Sequence, residues 1–386
     1  MRILHTSDWH VGRIWKGRSR LDELRTVLGN MASFIEREQI DLVLMTGDVF
    51  DSVSPAADAE RVVTEFFKRL GRAQVPSVVI AGNHDSPARL EAWGLLAEFV
   101  GVQTRGLPRP RAGGGLIELT LRSGEVACLA AVPFAPVGRI VEALTLAHDE
   151  TMARQQYADA MRGIFAHLAE GFRADAVNLV MAHSHMSGAK PAQSERVVTL
   201  GDDWAATPQS LPAAAQYVAL GHIHRPQRVE AAGPHTEYAG SPMQLDFGEV
   251  GDEKTFAVIE VKAGKPPRVE HVPYEGGVRL GHWEGTLPAL EASIDTLKTV
   301  GYLRVRVVLE TPLADLNRRV RQLLPNTVVV DAVLPELDGS GRTEPVDASL
   351  APVDRFRAFY ERRHQRPPQA DMVALFNELY AFAETD

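Results

Sequence analysis

Cysteine is almost absent from this sequence of 386 residues, which contains only Cys128. A single cysteine excludes a disulfide bond within the chain and is typical of a protein from a reducing compartment. It also excludes a zinc site built from thiolates. Any metal site would therefore use oxygen and imidazole ligands.

Long apolar runs are also missing, since no stretch is long enough for a helix that spans a bilayer. The first ten residues, MRILHTSDWH, lack the layout of a secretion signal, so we expect a cytoplasmic protein. Basic residues are outnumbered by acidic ones, and the net charge is −9. This charge argues mildly against a nucleic-acid partner, although bound metal ions would offset it locally.

The segment Leu42 to Asp51, LVLMTGDVFD, is central to the predicted fold. Its first four residues predict a strand that is buried on both faces. Thr46 and Gly47 end the strand, and Asp48 follows at the carboxyl end, where open α/β sheets bind ligands. In one interpretation Asp48 bridges two divalent metals, and in the other it caps a turn or the next helix. The rest of the sequence favours the bridge.

Strands and amphipathic helices alternate along the first part of the chain, which predicts an α/β fold with a site at one edge of a sheet. The predicted helices cover 21–35, 62–70, 90–100 and 151–172, and the predicted strands cover 2–6, 42–46, 78–81, 177–182 and 216–220, with two strands within 116–132 and others within 236–273.

A composition change near Gly276-Gly277 predicts that a smaller α/β cap domain follows the first domain. We expect domains at 1–275 and 276–336, a polar linker at 337–351, and two amphipathic helices within 352–386. The cap would contain helices at 288–299 and 313–324 and strands at 302–309 and 327–333. The two final helices carry more aromatic surface than they can bury alone, so they either pack on their own body or dock on a partner.

Side chains that can bind metals follow five of the predicted strands. They are Asp8, His10, Asp48, Asn83, His84, His183, His222 and His224. Residues i and i+2 of an extended segment point to the same side, so a D-x-H or H-x-H pair can reach one centre. Each residue alone has an ordinary explanation, such as a surface turn for His10 or a turn after glycine for Asn83. The ordered set predicts a centre for Mn²⁺, Fe²⁺ or Zn²⁺.

Five motifs, TSDWHVG, TGDVFD, AGNHDS, MAHSH and GHIHRPQ, resemble those of calcineurin-like metallophosphoesterases in the same order. Within that superfamily, TSDWH, GDVFDS, GNHDSPARL and the later YAGSPMQLDFGE resemble the SbcD family, the bacterial nuclease subunits that work with the ATPase SbcC. The resemblance covers residues 1 to about 275. It implies a metallophosphoesterase core, a two-sheet sandwich flanked by helices, with a small α/β cap domain and a C-terminal helical tail.

The resemblance also implies a role for each ligand, with Mn²⁺ as the metal. Asp8, His10 and His224 would hold one ion, Asn83, His183 and His222 would hold the second, and Asp48 would bridge them. His185 is the alternative to His183. We favour His183 because it directly follows the strand and stands five residues before Gly188.

His84 would act on the substrate, either by stabilising the transition state or by protonating the leaving 3′ oxygen. Asp85 would orient His84 by accepting its other ring proton, or would cap the helix that begins near Ser86-Pro87, or both. A basic loop with Arg13, Lys16, Arg18 and Arg20 either contacts a DNA backbone or is simply solvated.

The implied function is a DNA nuclease subunit for repair and recombination, with double-strand exonuclease and single-strand or hairpin endonuclease activity. Its partners would be DNA, an SbcC ATPase docked on the tail, and a second copy bound through helices near 61–70 and 88–100, in a nucleoid-associated heterotetramer. The alternatives are a small-molecule phosphodiesterase or phosphatase of the same superfamily, and a non-catalytic scaffold that recruits an ATPase.

Overall fold

The computed structural model of the protein describes residues 1–135, 150–192, 194–195, 205–334, 351–364 and 366–383. These residues form two compact units. The first is Met1–Val307 with Ala314–Ala332, and the second is Val308–Leu313 with Val333–Asp386. Most of the linker predicted at 337–351 lies outside the described residues, and the predicted domain boundaries stay predictions.

Two six-stranded mixed sheets form the centre of the first unit. In the first sheet, β1 (Arg2–Thr6), β4 (Leu42–Met45), β5 (Ser77–Ile80) and β6 (Val102–Arg105) are parallel, and β13 (Thr255–Glu260) and β14 (Arg268–Pro273) extend it in the order β14-β13-β1-β4-β5-β6. The second sheet has the order β11-β12-β10-β9-β8-β7, with β7 Leu116–Thr120, β8 Val126–Val132, β9 Val177–His183, β10 Tyr217–Gly221, β11 Gln227–Arg228 and β12 His235–Tyr238.

Helices cover the outer face of each sheet, so the fold is a four-layer sandwich. Helices α1 (Leu21–Arg37), α2 (Ala57–Arg72) and α3 (Pro87–Ala97) pack on the first sheet, and α4 (Glu150–Ala169) packs on the second. Leu42 and Leu44 pack between the sheets against Leu129, whereas Val43 packs against the helices, for example near Phe67. The central strand is therefore buried on both faces, and the predicted fold class is confirmed.

A smaller sheet follows the sandwich in the first unit. It consists of β15 (Leu280–Thr286), β16 (Tyr302–Val308) and β17 (Thr327–Val333), with helices α5 (Leu287–Ala292), α6 (Ile294–Leu297) and α7 (Leu316–Leu323). The single helix predicted at 288–299 is wrong, since two short helices with Ser293 between them occupy this stretch. Strand β15 was not predicted because its seven residues include two glycines and show only a weak alternation of apolar and polar side chains.

The segment predicted as a basic loop contains a small hairpin. Strands β2 (Ile14–Trp15) and β3 (Arg18–Ser19) pair through a two-residue turn, in which Lys16 and Gly17 both have positive φ. Trp15 is buried with Phe247, Leu280 and Val328, so its ring anchors the hairpin to the body of the first unit.

The second unit contains two helices, α8 (Pro352–His364) and α9 (Ala370–Ala383), as predicted. The rings of Phe356 and Phe376 stack at 4.5 Å between these helices. Within the described residues, no helix is long and apolar enough to cross a membrane.

His5 is a titratable side chain deep inside the sandwich. The ring has no exposed surface, and its two nitrogens lie 3.0 Å from the Tyr217 hydroxyl and 3.0 Å from the Thr46 Oγ1. Burial lowers the pKa of His5 from 6.5 to about 4. Between about pH 6.5 and pH 4 the unfolded chain therefore binds a proton at His5 that the folded protein excludes. The free energy of unfolding consequently falls as the pH falls through this range.

Replacing His5 with Gln is expected to cost less stability at low pH. His5→Gln should lower the free energy of unfolding at pH 7.5, and the loss should be about 1 kcal/mol smaller at pH 5.5, because glutamine does not titrate. Urea unfolding of the metal-free proteins at both pH values measures the difference. An equal loss at the two pH values would contradict the prediction.

Candidate metal centre

The side chains that can bind metals meet where the carboxyl ends of strands from both sheets come together. Asp8 follows β1, Asp48 follows β4 and Asn83 follows β5 in the first sheet, while His183 ends β9 and His222 follows β10 in the second. The two sheets meet directly here, since the backbone N–H of His222 donates to both carboxylate oxygens of Asp8 at 3.0 and 3.2 Å. The strand ends thus deliver donors from both sheets to one place.

Four of these residues have a backbone conformation that L-amino acids seldom adopt. Asp8, His10 and Asp48 have φ near +50°, and His222 has φ of +101°. Such conformations cost of order 1–3 kcal/mol each and concentrate at functional sites, where the surrounding structure enforces them. Here the backbone N–H of Asp8 donates to Gly47 O, and that of His10 donates to Asp48 O, both at 3.0 Å.

One group of donors comprises Asp8, His10, Asp48 and His224, which are all buried and have donor atoms within 4.8 Å of one another. The Nε2 atoms of His10 and His224 lie only 3.0 Å apart. His10 Nδ1 lies 3.1 Å from the Asp51 carboxylate, and His224 Nδ1 lies 2.6 Å from the Ser194 hydroxyl, which itself donates to Glu249. When each Nδ1 carries the proton, the two Nε2 lone pairs face each other, and a cation between them removes this repulsion.

A second group of donors surrounds the side-chain oxygen of Asn83. Its Oδ1 lies 2.9 Å from His183 Nε2 and 2.9 Å from His222 Nδ1. His183 Nδ1 lies 2.8 Å from Thr46 O, a carbonyl that can only accept, so Nδ1 carries the proton and Nε2 presents a lone pair to Asn83. Two ligands about 2.1 Å from one ion and at right angles to each other are about 3 Å apart. The donors in both groups therefore fit divalent metal ions.

Asp48 lies between the two groups. Its Oδ2 is 3.6 Å from His10 Nε2 and also 3.6 Å from His183 Nε2. The other oxygen, Oδ1, accepts the backbone N–H of His84 at 2.8 Å. One carboxylate oxygen is thus equally distant from one histidine of each group.

Burial keeps His10 and His183 in the neutral form that binds metals. Burial, reinforced by the charges of His224 and His84, lowers the pKa of His10 well below 6.5. Burial also lowers the pKa of His183 to about 3, against the opposing hydrogen bond to Thr46. Burial raises the pKa of Asp8 to about 6, although the neighbouring His224 and the hydrogen bonds of the carboxylate oppose the shift. At neutral pH the site therefore presents lone pairs and carboxylates to a cation.

His84 lies beside the first group, where its ring contacts that of His10 edge to face at 4.6 Å. Its Nδ1 lies 2.9 Å from the backbone carbonyl of Asp51, which orients the ring. The predicted hydrogen bond from His84 to Asp85 is wrong. The Asp85 carboxylate instead accepts the backbone N–H groups of Val49, Phe50 and Gly82 at 2.9–3.2 Å.

Asp85 does not cap the following helix either. The N-cap of α3 is Ser86, whose hydroxyl accepts the N–H of Arg89. Asp85 instead ties the turn after β4 to the turn after β5, because its carboxylate is bound by N–H groups from both turns. Burial raises the pKa of Asp85, despite these hydrogen bonds.

The two histidines of the fourth motif have different surroundings. His183 has its Nε2 directed at Asn83 and Asp48, as described above. His185 is also buried, and its ring packs against the His222 ring at 6.4 Å between centroids. These contacts favour His183 as the ligand, which was the preferred choice from the sequence.

The four basic residues in and beside the hairpin differ in how accessible their charged groups are to a ligand. Arg13 lies 3.7 Å from Asp51, Lys16 lies 3.8 Å from Asp246, and Arg18 lies over the Tyr302 ring. Arg20 is only 3% exposed, pairs with Glu23 and donates to the carbonyls of Gln244 and Val278. The prediction that Arg20 contacts DNA or solvent is therefore wrong, because its guanidinium is enclosed and its donors are engaged.

Several residues that support the centre were not singled out from the sequence. They are Asp51, Ser194, Glu195, Glu249 and Lys254. Glu195 accepts the backbone N–H of His224 at 3.0 Å, and the Lys254 ammonium donates to His224 O at 2.8 Å. Burial alone would raise the pKa of Glu249, but His224 and Lys254 lower it to about 2. Asp51 closes the TGDVFD motif and Glu249 lies in YAGSPMQLDFGE, so the motifs contained a signal for these two.

Comparison with known proteins gives consistent results over the whole chain. Residues 1–226 match the calcineurin-like phosphoesterase family, and residues 277–364 match the family described as type 5 capsule protein repressor C-terminal domain. The SbcD component of the nuclease SbcCD from Bacillus subtilis is 34% identical over 395 residues, covering 100% of this chain and 99% of the relative. The proteins of the same name from Rhodobacter capsulatus and Escherichia coli are 33% and 29% identical, covering 87% and 86% of this chain and 85% and 84% of the relatives.

Gly82 is required for the close approach of the two turns. A Cβ atom at Gly82 would lie 2.1 Å from Asp48 Oδ1 and 2.3 Å from the Asp48 backbone nitrogen. Gly82→Ala should therefore displace Asp48 and weaken divalent-metal binding by about 10-fold or more, as measured by calorimetric titration with Mn²⁺. Gly29→Ala is the matched control, because a Cβ atom there meets nothing within 4 Å. Equal metal affinity in the two variants would contradict the prediction.

Proposed function

Because the chain belongs to the SbcD family of calcineurin-like phosphoesterases, which are metal-dependent nucleases, we propose that it cleaves DNA with two divalent ions bound in the buried centre. The position of Asp48 carries the proposal. Its Oδ2 lies 3.6 Å from His10 in one donor group and 3.6 Å from His183 in the other. A shared carboxylate offsets the repulsion between two cations held about 3.5–4 Å apart.

Each ion has its own set of ligands in this proposal. Asp8, His10 and His224 would hold the first ion, Asn83, His183 and His222 would hold the second, and Asp48 would bind both. Mn²⁺ suits this set, because it accepts carboxylate and amide oxygens together with imidazole and needs no thiolate. When bound, the ions lower the pKa of an attacking water and offset the charge that develops on the phosphate.

The protein's own side chains orient the reaction. His84 would stabilise the transition state or protonate the leaving 3′ oxygen. The Asp51 carbonyl fixes the His84 ring through Nδ1, and the Asp51 carboxylate fixes the His10 ring. Asp51 would therefore orient both a proposed metal ligand and His84, whereas the sequence had suggested Asp85 as the residue that orients His84.

DNA is the proposed substrate because the relatives are named nucleases. The activities would be those of a double-strand exonuclease and a single-strand or hairpin endonuclease that trims DNA ends at the nucleoid in repair and recombination. Arg13, Lys16 and Arg18 follow the first metal motif, and contact with the phosphate backbone is their proposed role. Bound ions would offset part of the net charge of −9 near the substrate.

The relatives' name also suggests an SbcC partner, which we propose to be an ATPase, and a second copy of this chain is a further proposed partner. Helix α3 and the turn after it expose Leu95, Leu96 and Phe99 by 72, 73 and 88%. This apolar surface supports a homodimer. In the second unit Phe359 and Leu375 are 51 and 54% exposed. These side chains support docking of α8 and α9 on the coiled coil of SbcC.

Cleavage assays test the proposal directly. Purified protein with Mn²⁺ should degrade end-labelled duplex and hairpin DNA, and chelator should stop the reaction. Turnover of only a small chromogenic phosphodiester would instead indicate a small-molecule enzyme. If the protein alone cleaves neither substrate, the assay is repeated with SbcC, and inactivity there despite bound metal would contradict the proposal.

Asp48→Ala should abolish both metal binding and cleavage, because one side chain serves both ions. Metal content after dialysis should fall from two equivalents towards zero, and DNA cleavage should fall below detection. Asp295→Ala removes a fully exposed carboxylate and is the matched control. A variant at Asp48 that keeps two bound ions would disprove the bridging role.

His84→Gln should separate catalysis from metal binding. We expect cleavage to fall by about 10²–10⁴-fold, the usual contribution of proton transfer, while both ions remain bound. His167→Gln alters a half-exposed histidine on α4 and serves as the control. Full activity in His84→Gln would remove His84 from the mechanism.

A further inference from the structure

A line of polar side chains crosses the apolar layer between the two sheets. It consists of Tyr217 on β10 of the second sheet, His5 on β1 of the first, and Thr46 at the end of β4, and we call it the inter-sheet chain. All three residues are completely buried. Apolar side chains such as Leu44 and Leu179 fill the rest of this layer. Buried polar groups are costly unless they are hydrogen-bonded, and a fully satisfied set specifies one arrangement of the core.

The hydrogen bonds of the inter-sheet chain have a consistent direction. Burial raises the pKa of Tyr217 well above 10, so its hydroxyl keeps its proton and can donate to His5 Nδ1 at 3.0 Å. His5 then donates through Nε2 to Thr46 Oγ1, also at 3.0 Å. The Thr46 hydroxyl lies 3.4 Å from Thr6 O, to which it donates. Every polar atom of the chain therefore has a partner of the correct type.

The inter-sheet chain ends at the residue that orients a metal ligand. The carbonyl of Thr46 accepts the Nδ1–H of His183 at 2.8 Å and the Ser7 hydroxyl at 3.2 Å. This carbonyl therefore determines the tautomer of His183 and the direction of its Nε2, which faces Asn83. Thr46 and His183 belong to different sheets, so their hydrogen bond depends on how the sheets are aligned.

A second link between the sheets lies next to the first. Glu237 on β12 of the second sheet is within 3.0 Å of His271 Nε2 on β14 of the first. Glu237 also lies 2.6 Å from His235 Nε2, and the His235 ring stacks on that of Tyr217 at 5.6 Å. Burial would raise the pKa of Glu237, but the two histidines lower it to about 2, so the carboxylate is charged and strongly held.

We propose that His5 and Tyr217 are positioning residues for the metal centre, acting through Thr46 on His183. The inference rests on the proposed two-metal site, whose ligands come from both sheets. Apolar contacts favour burial but have no direction, so they tolerate a small sliding of one sheet over the other. Hydrogen bonds fix direction and distance, so the inter-sheet chain sets the alignment that brings His183 to Asp48 and Asn83.

The test compares metal affinity with folding stability in matched variants. Tyr217→Phe removes only the hydroxyl, His5→Gln alters the middle of the chain, and the double variant combines them. Tyr302→Phe is the control, because its hydroxyl donates to Glu23 at 2.8 Å and has no part in the chain. For each protein we would measure Mn²⁺ affinity by calorimetry, the visible spectrum of the Co²⁺-loaded form, and the urea midpoint without metal.

Tyr217→Phe and His5→Gln should each weaken Mn²⁺ binding by about 10-fold or more and shift the Co²⁺ spectrum, whereas Tyr302→Phe should change neither. The double variant should bind Mn²⁺ about as tightly as the single variant with the lower affinity, because both changes break the same chain. Lower urea midpoints with wild-type metal affinity and an unchanged Co²⁺ spectrum would overturn this inference alone. A wild-type protein that takes up no divalent ion would overturn the proposed function as well.

Discussion

The metal centre depends on one constraint, which is that donors from two separate sheets must meet to within a fraction of an ångström. Asp8, Asp48 and Asn83 come from the first sheet, and His183 and His222 come from the second. No single strand or turn can build this arrangement. The four-layer sandwich therefore supports the site by holding two sheet edges in a fixed relation, and burial of the apolar side chains between the sheets favours this packing.

The local backbone contributes as much to the site as the side chains do. The turns after β1, β4 and β10 hold Asp8, Asp48 and His222 at positive φ, which directs their side chains towards one space. The carboxylate of Asp85 accepts N–H groups from two turns and keeps them together. Charged and polar side chains thus compensate for strained backbone in these turns.

The fold class and the positions of the donors could be predicted because apolar strands such as 42–45 directly precede polar motifs. Details that depend on contacts between distant parts of the chain could not be predicted from the sequence. Asp85 follows His84 in the chain, yet Asp51, 33 residues earlier, contacts the His84 ring. Arg20 sits among exposed basic residues in the sequence, but the carbonyls of Gln244 and Val278 enclose it. Strand β6 was missed because only one of its four residues is buried.

The contact between Asp8 and His222 joins residues that are 214 positions apart in the chain. Closing so large a loop is entropically less costly once the strands in between have paired and shortened the effective loop. The centre should therefore be among the last parts of the first unit to form during folding. An ion that binds only the assembled site would stabilise nearly the whole unit by mass action, which links metal supply in the cell to the lifetime of the folded protein.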